Sequence, residues 1–343
     1  MESEKHGAAA LAAEDGPITL NLARHRREIV SNAAKWILAI VGLLIANLML
    51  RVVVSVCGSV GLVRLGLVGA GGSISPRGVL AIGVMAQLAW LAVVLPWWRH
   101  VRRRGMGVSL DTPRVPVHGR CALGRAALTL GAIVLMGVGL QVVVSLLLNV
   151  ILPLFPKVQG AYTEMMESSG TNEFTGLSIV SLAVLAPLEE ELTFRGVAFQ
   201  FALRAVAPAV SNGASQHDGS GLLLSHRRFW LANILQALAF GVMHLNITQG
   251  IYAFATGLVF GWLFGRTGRL RYGMGLHAAV NFSSYFVGEL MGAFAAFGGI
   301  GVFVLPVACL AAGIWLFERT VPVNSRGALA QATDFWRQTA SGR

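Results

Sequence analysis

The stretch LSIVSLAVLAPLEEELTFRG, residues Leu177–Gly196, decides how this chain folds. An apolar run from Leu177 to Leu188 leads straight into three glutamates, with an arginine four residues after the last. An apolar helix of ~20 residues crosses a ~30 Å hydrocarbon core. Ionisable groups inside such a helix are costly unless they face protein or water. The two facts meet in one reading: a membrane-spanning helix whose charged face borders a wet, protein-lined cavity.

The rest of the chain supports a membrane setting. Of 343 residues, 55% are hydrophobic and 13% charged, against roughly a quarter charged in soluble domains. Mean hydropathy is +0.66. The expected fold is all-α, a polytopic transmembrane helix bundle of about eight spans with a polar intramembrane cavity. The spans run over 36–60, 79–98, 127–155, 176–201, 229–245, 251–265, 274–294 and 297–317. Continuous apolar runs exclude an outer-membrane barrel, which needs alternating strands of about ten residues. Arg51 interrupts the first span. It either snorkels to the outer interface, or the span ends near Leu50.

The net charge of +11 does not indicate nucleic acid. Arginines cluster in short loops between apolar runs: Arg99–Arg104 with Arg114, Arg120 and Arg125; Arg204 with Arg227 and Arg228; Arg266, Arg269 and Arg271; then Arg319 and Arg326. The alternate loops carry only Arg64, Arg77 and Lys157. Both termini are therefore expected in the cytosol, with the chain in the plasma membrane if it is bacterial. Trp97, Trp98 and Trp230 suit the cytosolic interface. No secretory signal is evident, and Cys57, Cys121 and Cys309 have neither zinc-clip nor disulfide spacing. The expected organisation is a cytosolic tail over 1–34, two spans and a basic loop over 35–126, a core over 127–318, and a cytosolic tail over 319–343. The loop 207–221, rich in Ser and Gly, reads as flexible. Gly257, Gly261 and Gly265 share one helix face and allow close packing.

Few ionisable residues fall within the apolar core. Glu191 and Arg195, at i and i+4, share a face and can pair. Glu190 is rotated from them by about 100° and has no local partner. Phe240 and His244 repeat the i, i+4 spacing, as do His277 and Asn281. Pro187 removes a backbone hydrogen bond just before the glutamates. Three helices thus offer a carboxylate, two imidazoles and an amide. Such a set has two chemical uses. It can hold zinc or another divalent metal through Glu190, His244 and His277. Without a metal, Glu190 can act as general base on a water that a histidine helps to hold. An Asn or His can donate to an oxyanion. Either route hydrolyses an amide. Glu289 reads as a pairing or interfacial residue, and His6, His25, His100, His118, His217 and His226 lie in polar tails or loops. There is no nucleophile elbow and no H-E-x-x-H.

These residues resemble the three signatures of the CPBP intramembrane proteases, the family of CAAX-processing endopeptidases and lysostaphin-resistance-like proteins. Glu-Glu-x-x-x-Arg is matched by Glu190, Glu191 and Arg195, Phe-x-x-x-His by Phe240 and His244, and His-x-x-x-Asn by His277 and Asn281. The resemblance covers about Leu177 to Phe286. It implies an intramembrane endopeptidase acting on a membrane-associated protein or peptide near the cytosolic leaflet. Glu190 would activate water, with Glu191 and Arg195 in support. His244 and His277 would position water or substrate, and Asn281 would stabilise the oxyanion. Glu189 is an addition to the pattern and is expected outside the site. Two other readings use the same residues: a non-catalytic member of the fold, such as a self-immunity factor or scaffold, and an ion-coupled transporter. At ~1.5 Å per residue from the basic flanks, Glu190 and His277 lie ~10 Å above the cytosolic face and His244 ~24 Å from Arg228. Bringing them together requires tilted or broken helices, or a fifth helix that starts below the membrane.

Overall fold

A computed structural model describes residues 16–69, 73–103, 122–171, 173–206 and 226–321. The described residues form helices and no strand. Ten helices follow in chain order: α1 (Gly16–Arg64), α2 (Pro76–Arg103), α3 (Ala122–Ile151), α4 (Pro156–Ser168), a composite α5 over 176–205, α6 (His226–Met243), α7 (Ile247–Thr267), α8 (Leu270–Ser283), α9 (Val287–Ala295) and α10 (Gly299–Thr320). Five are each long and apolar enough to cross a membrane: 27–64 of α1, 76–101 of α2, α3 with its extension to Leu154, α7 and α10. The basic residues Arg114, Arg120 and Arg326, the loop 207–221, Cys121, His6, His118 and His217 lie outside the described residues.

Helix begins at Gly16, and α4 follows span three. The structure revises one expectation about the spans. Span seven is divided: α8 ends at Ser283, a 3₁₀ turn covers Ser284–Phe286, and α9 resumes at Val287.

Small residues let the helices approach closely. The glycine face of α7 meets α6, as its spacing implies. A methyl on Gly257 would touch Phe240 and Ala237, one on Gly261 would overlap Asn233, and one on Gly265 would overlap Phe229. α3 packs on α10 and α8 in the same way, with Gly139 against the Leu310 backbone, Gly313 against Met136 and Gly137 against Ala279. Large apolar side chains such as Leu38, Ile45, Val53, Leu130, Ile251 and Val307 remain exposed, as suits lipid-facing surfaces.

α5 is the centre of the bundle, contacting α2, α6, α7 and α8. Thr175 caps its start in a reciprocal capping box with Ser178. It then alternates: α-helical at Gly176–Ile179, π-helical at Val180–Leu185, α-helical at Ala186–Glu190, π-helical at Glu191–Ala198, and α-helical again at Phe199–Ala205. π turns hydrogen-bond i to i+5 and are enriched at functional sites. Here they flank Glu189 and Glu190, and the second contains Glu191.

Candidate active site

The three glutamates of α5 point in different directions, as consecutive helical residues must. Glu191 is fully buried. Its Oε1 accepts from Arg195 at 2.9 Å and lies 3.3 Å from His277 Nδ1. Arg195 is itself fully buried. It also donates to the Gly257 carbonyl at 3.2 Å and lies against the rings of Phe240 (4.6 Å) and Phe260 (5.1 Å). Gln236 donates to that same carbonyl at 2.9 Å. Gly273 on α8 admits the other Glu191 oxygen, which a methyl there would meet at 2.6 Å. The expected Glu191–Arg195 pair is therefore the middle of a network joining α5, α6, α7 and α8.

Glu190 is more open, with 21% of its side chain exposed. Its Oε2 lies 3.6 Å from His277 Nε2, within ion-pair range but beyond a direct hydrogen bond. His277 stacks on Phe260 at 4.8 Å and faces one carboxylate with each ring nitrogen. A ring that donates to Glu191 through Nδ1 turns Nε2 toward Glu190.

His244 lies just past the end of α6. Its Nδ1 donates to the Phe240 carbonyl at 2.9 Å, since a carbonyl can only accept. In the neutral ring this leaves Nε2 with its lone pair. The Phe240 ring lies 5.0 Å from His244 and 6.0 Å from His277. The next residue, Leu245, has φ of 53°, a left-handed conformation unusual for a bulky side chain. Among the described residues, no three His, Cys, Asp or Glu side chains gather as a metal would require. Glu190 and His277 are adjacent, but His244 is not assembled with them. In this arrangement Glu190, His244 and His277 do not form one ligand set.

Asn281 donates to the Leu182 carbonyl at 2.8 Å, which commits one N–H of its amide. Glu289 is exposed on α9. An apolar hollow between α6 and α7 is lined by Leu238, Val242, Leu245, Ile251 and Phe254. A second lies on α10 around Phe303 and Val307. Neither is the polar cavity that the sequence suggested. At Glu190 the access is the partial exposure of the carboxylate itself.

Glu189 is 1% exposed and ion-paired with Arg51 of α1, a pairing that the sequence reading did not anticipate. Arg51 therefore turns toward α5. A lone arginine in one apolar run and a surplus glutamate in another were the available signal. Phe260, the stacking partner of His277, lies three residues after Gly257 on α7 and carried no mark beyond hydrophobicity.

Residues 172–283, 112 of the 343, match the family model described as type II CAAX prenyl endopeptidase, Rce1-like. No curated protein and no solved structure matches the chain. The match begins just before α5 and ends with α8, so it spans every residue of the three motifs. That segment is similar to the type II CAAX prenyl endopeptidase family, and the similarity agrees with the motif resemblance to the CPBP proteases.

Proposed function

We infer that the protein is an intramembrane endopeptidase that hydrolyses a peptide bond of a membrane-associated protein or peptide. The carrying observation is the Glu190–His277 pair at 3.6 Å, with Glu190 the most accessible of the three glutamates. The family description makes a prenylated C-terminal peptide the first substrate to test.

In this reading Glu190 takes a proton from a water, and the resulting hydroxide attacks the scissile carbonyl carbon. His277 lies where it can pass a proton to and from Glu190, and the same proton can reach the leaving amine. Glu191 and Arg195 hold His277 in orientation. His244, with Nδ1 committed to Phe240, offers Nε2 to the water or substrate. The uncommitted N–H of Asn281 is a donor for the oxyanion. The arginine-rich ends of the spans support a cytosolic position for both termini and for the site's mouth.

The test is cleavage of a reporter peptide by the purified protein in liposomes. Glu190→Ala and His244→Ala should each abolish turnover while the protein stays folded. Full retained cleavage by either variant overturns the mechanism. Elemental analysis of the same preparation, with activity before and after a chelator, decides between a glutamate base and zinc or another divalent metal. Stoichiometric metal with chelator-sensitive cleavage would replace the mechanism above.

A further inference from the structure

Arg51 lies outside the matched segment and outside all three motifs, on a helix that is mostly exposed to its surroundings. Yet it reaches the residue next to Glu190. Its guanidinium donates to Oε1 of Glu189, and its Nε donates to Asn47 Oδ1 at 2.8 Å. Asn47 is 3% exposed, so the arginine is tethered before it meets the carboxylate. Thr193, itself bonded to Trp90 of α2 at 2.8 Å, donates to the Glu189 carbonyl at 2.6 Å. Glu189 is therefore held at both its side chain and its backbone.

The position of this anchor matters. Ala186–Glu190 is a short α-helical piece between two π turns. Wide turns leave its rotation less constrained than in an uninterrupted i to i+4 ladder. Side-chain anchors then set the direction in which Glu190 points. Glu191 is fixed on one side by Arg195 and His277. Glu189 is fixed on the other by Arg51. Each flanking carboxylate has its own arginine in contact, and among the described residues the ion pair of Glu190 is with His277.

We propose that Arg51 is a positioning residue: by clamping Glu189 it sets the rotation of the Ala186–Glu190 turn and so aims Glu190 at His277. The proposal rests on the endopeptidase reading above. It makes α1 part of the working site, although the family match does not reach it. A merely neutralising Arg51 would protect the fold and leave the rate per folded molecule unchanged.

The experiment uses the full chain in liposomes with the same reporter peptide, and normalises rates to folded protein by thermal melting. Arg51→Met should lower kcat by about tenfold to a hundredfold, as an ångström-scale misplacement does, with KM within about twofold. Arg51→Lys should recover part of that loss. Arg51→Met combined with Glu189→Gln should be no slower than Arg51→Met alone, because both changes release one clamp. Wild-type kcat in folded Arg51→Met, or losses that multiply in the double variant, overturns the proposal. If Arg51→Met does not fold, Asn47→Ala and Arg51→Lys decide: reduced kcat in both supports the clamp, and wild-type kcat in both overturns it. An inactive wild type, or an active Glu190→Ala, instead overturns the endopeptidase reading on which the proposal stands.

Discussion

The side-chain amide of Asn281 satisfies the carbonyl of Leu182, across from α8 to α5, at 2.8 Å. The reason lies in the backbone. Ala186, four residues on, donates instead to Ser181 in the π register. The residue five on is Pro187, which has no N–H. Leu182 is thus left without a helical donor, and Asn281 supplies one. Asn281→Ala should orphan that carbonyl and cost about 1–3 kcal/mol, read as a lower melting temperature. Activity should fall with it. Asn281→Ala with unchanged melting would show that the contact is dispensable.

Glu190 and Glu191 should separate activity from stability. Glu190→Gln should reduce turnover by about 10²–10⁴-fold, the usual value of a general base, with little change in melting temperature. Glu191→Gln leaves the fully buried Arg195 uncompensated and should destabilise by about 3–5 kcal/mol as well. Paired melting and kinetic measurements on the two variants check this. Equal stability losses would contradict the division of labour.

Packing between α6 and α7 offers a cleaner structural test. A methyl at Gly261 would sit 1.9 Å from Asn233 Oδ1, so Gly261→Ala must push the helices apart. We expect a loss of about 1–3 kcal/mol. Gly131→Ala on α3, where nothing lies within 4 Å, should be neutral or stabilising by up to about 1 kcal/mol. Melting curves of the two variants under one set of conditions should move in opposite directions or differ clearly in size.

Leu245 follows His244 in a left-handed conformation while its side chain is 70% exposed. Leu245→Gly removes backbone strain of roughly 1–2 kcal/mol and gives up little burial. The melting temperature should hold or rise. A lower kcat without loss of stability would show that the strain helps to place His244.

Much of this was legible in the residues. The i, i+4 spacing of Glu191 and Arg195 identified a true pair because helical geometry alone brings them together. The Gly257–Gly261–Gly265 face was readable for the same reason, since a four-residue repeat maps onto one side of a helix whatever it packs against. Phe240 and His244 also meet, although the contact is a ring edge and a backbone bond rather than a shared ligand. Tertiary relations were not legible. Arg51 and Glu189 are 138 positions apart, and no local rule joins them. Pro187 announced a missing backbone hydrogen bond but not the π turns on either side of Ala186–Glu190. The break at Ser284–Phe286 contains no Pro or Gly to announce it. The separation of His244 from Glu190 and His277 depends on how far α6 runs before it ends.

The alternation of turns in α5 also bears on how its length can change. A π turn is an α-helix holding one extra residue. Deleting a single residue within 180–185 would give back the tighter hydrogen-bond ladder and improve the local backbone. It would also swing everything after it by about 100°, carrying Glu190 away from His277 and Glu191 away from Gly273. Insertions and deletions in this segment should therefore cost both stability and activity, so its residue count is a constraint on the site as much as its residue types are.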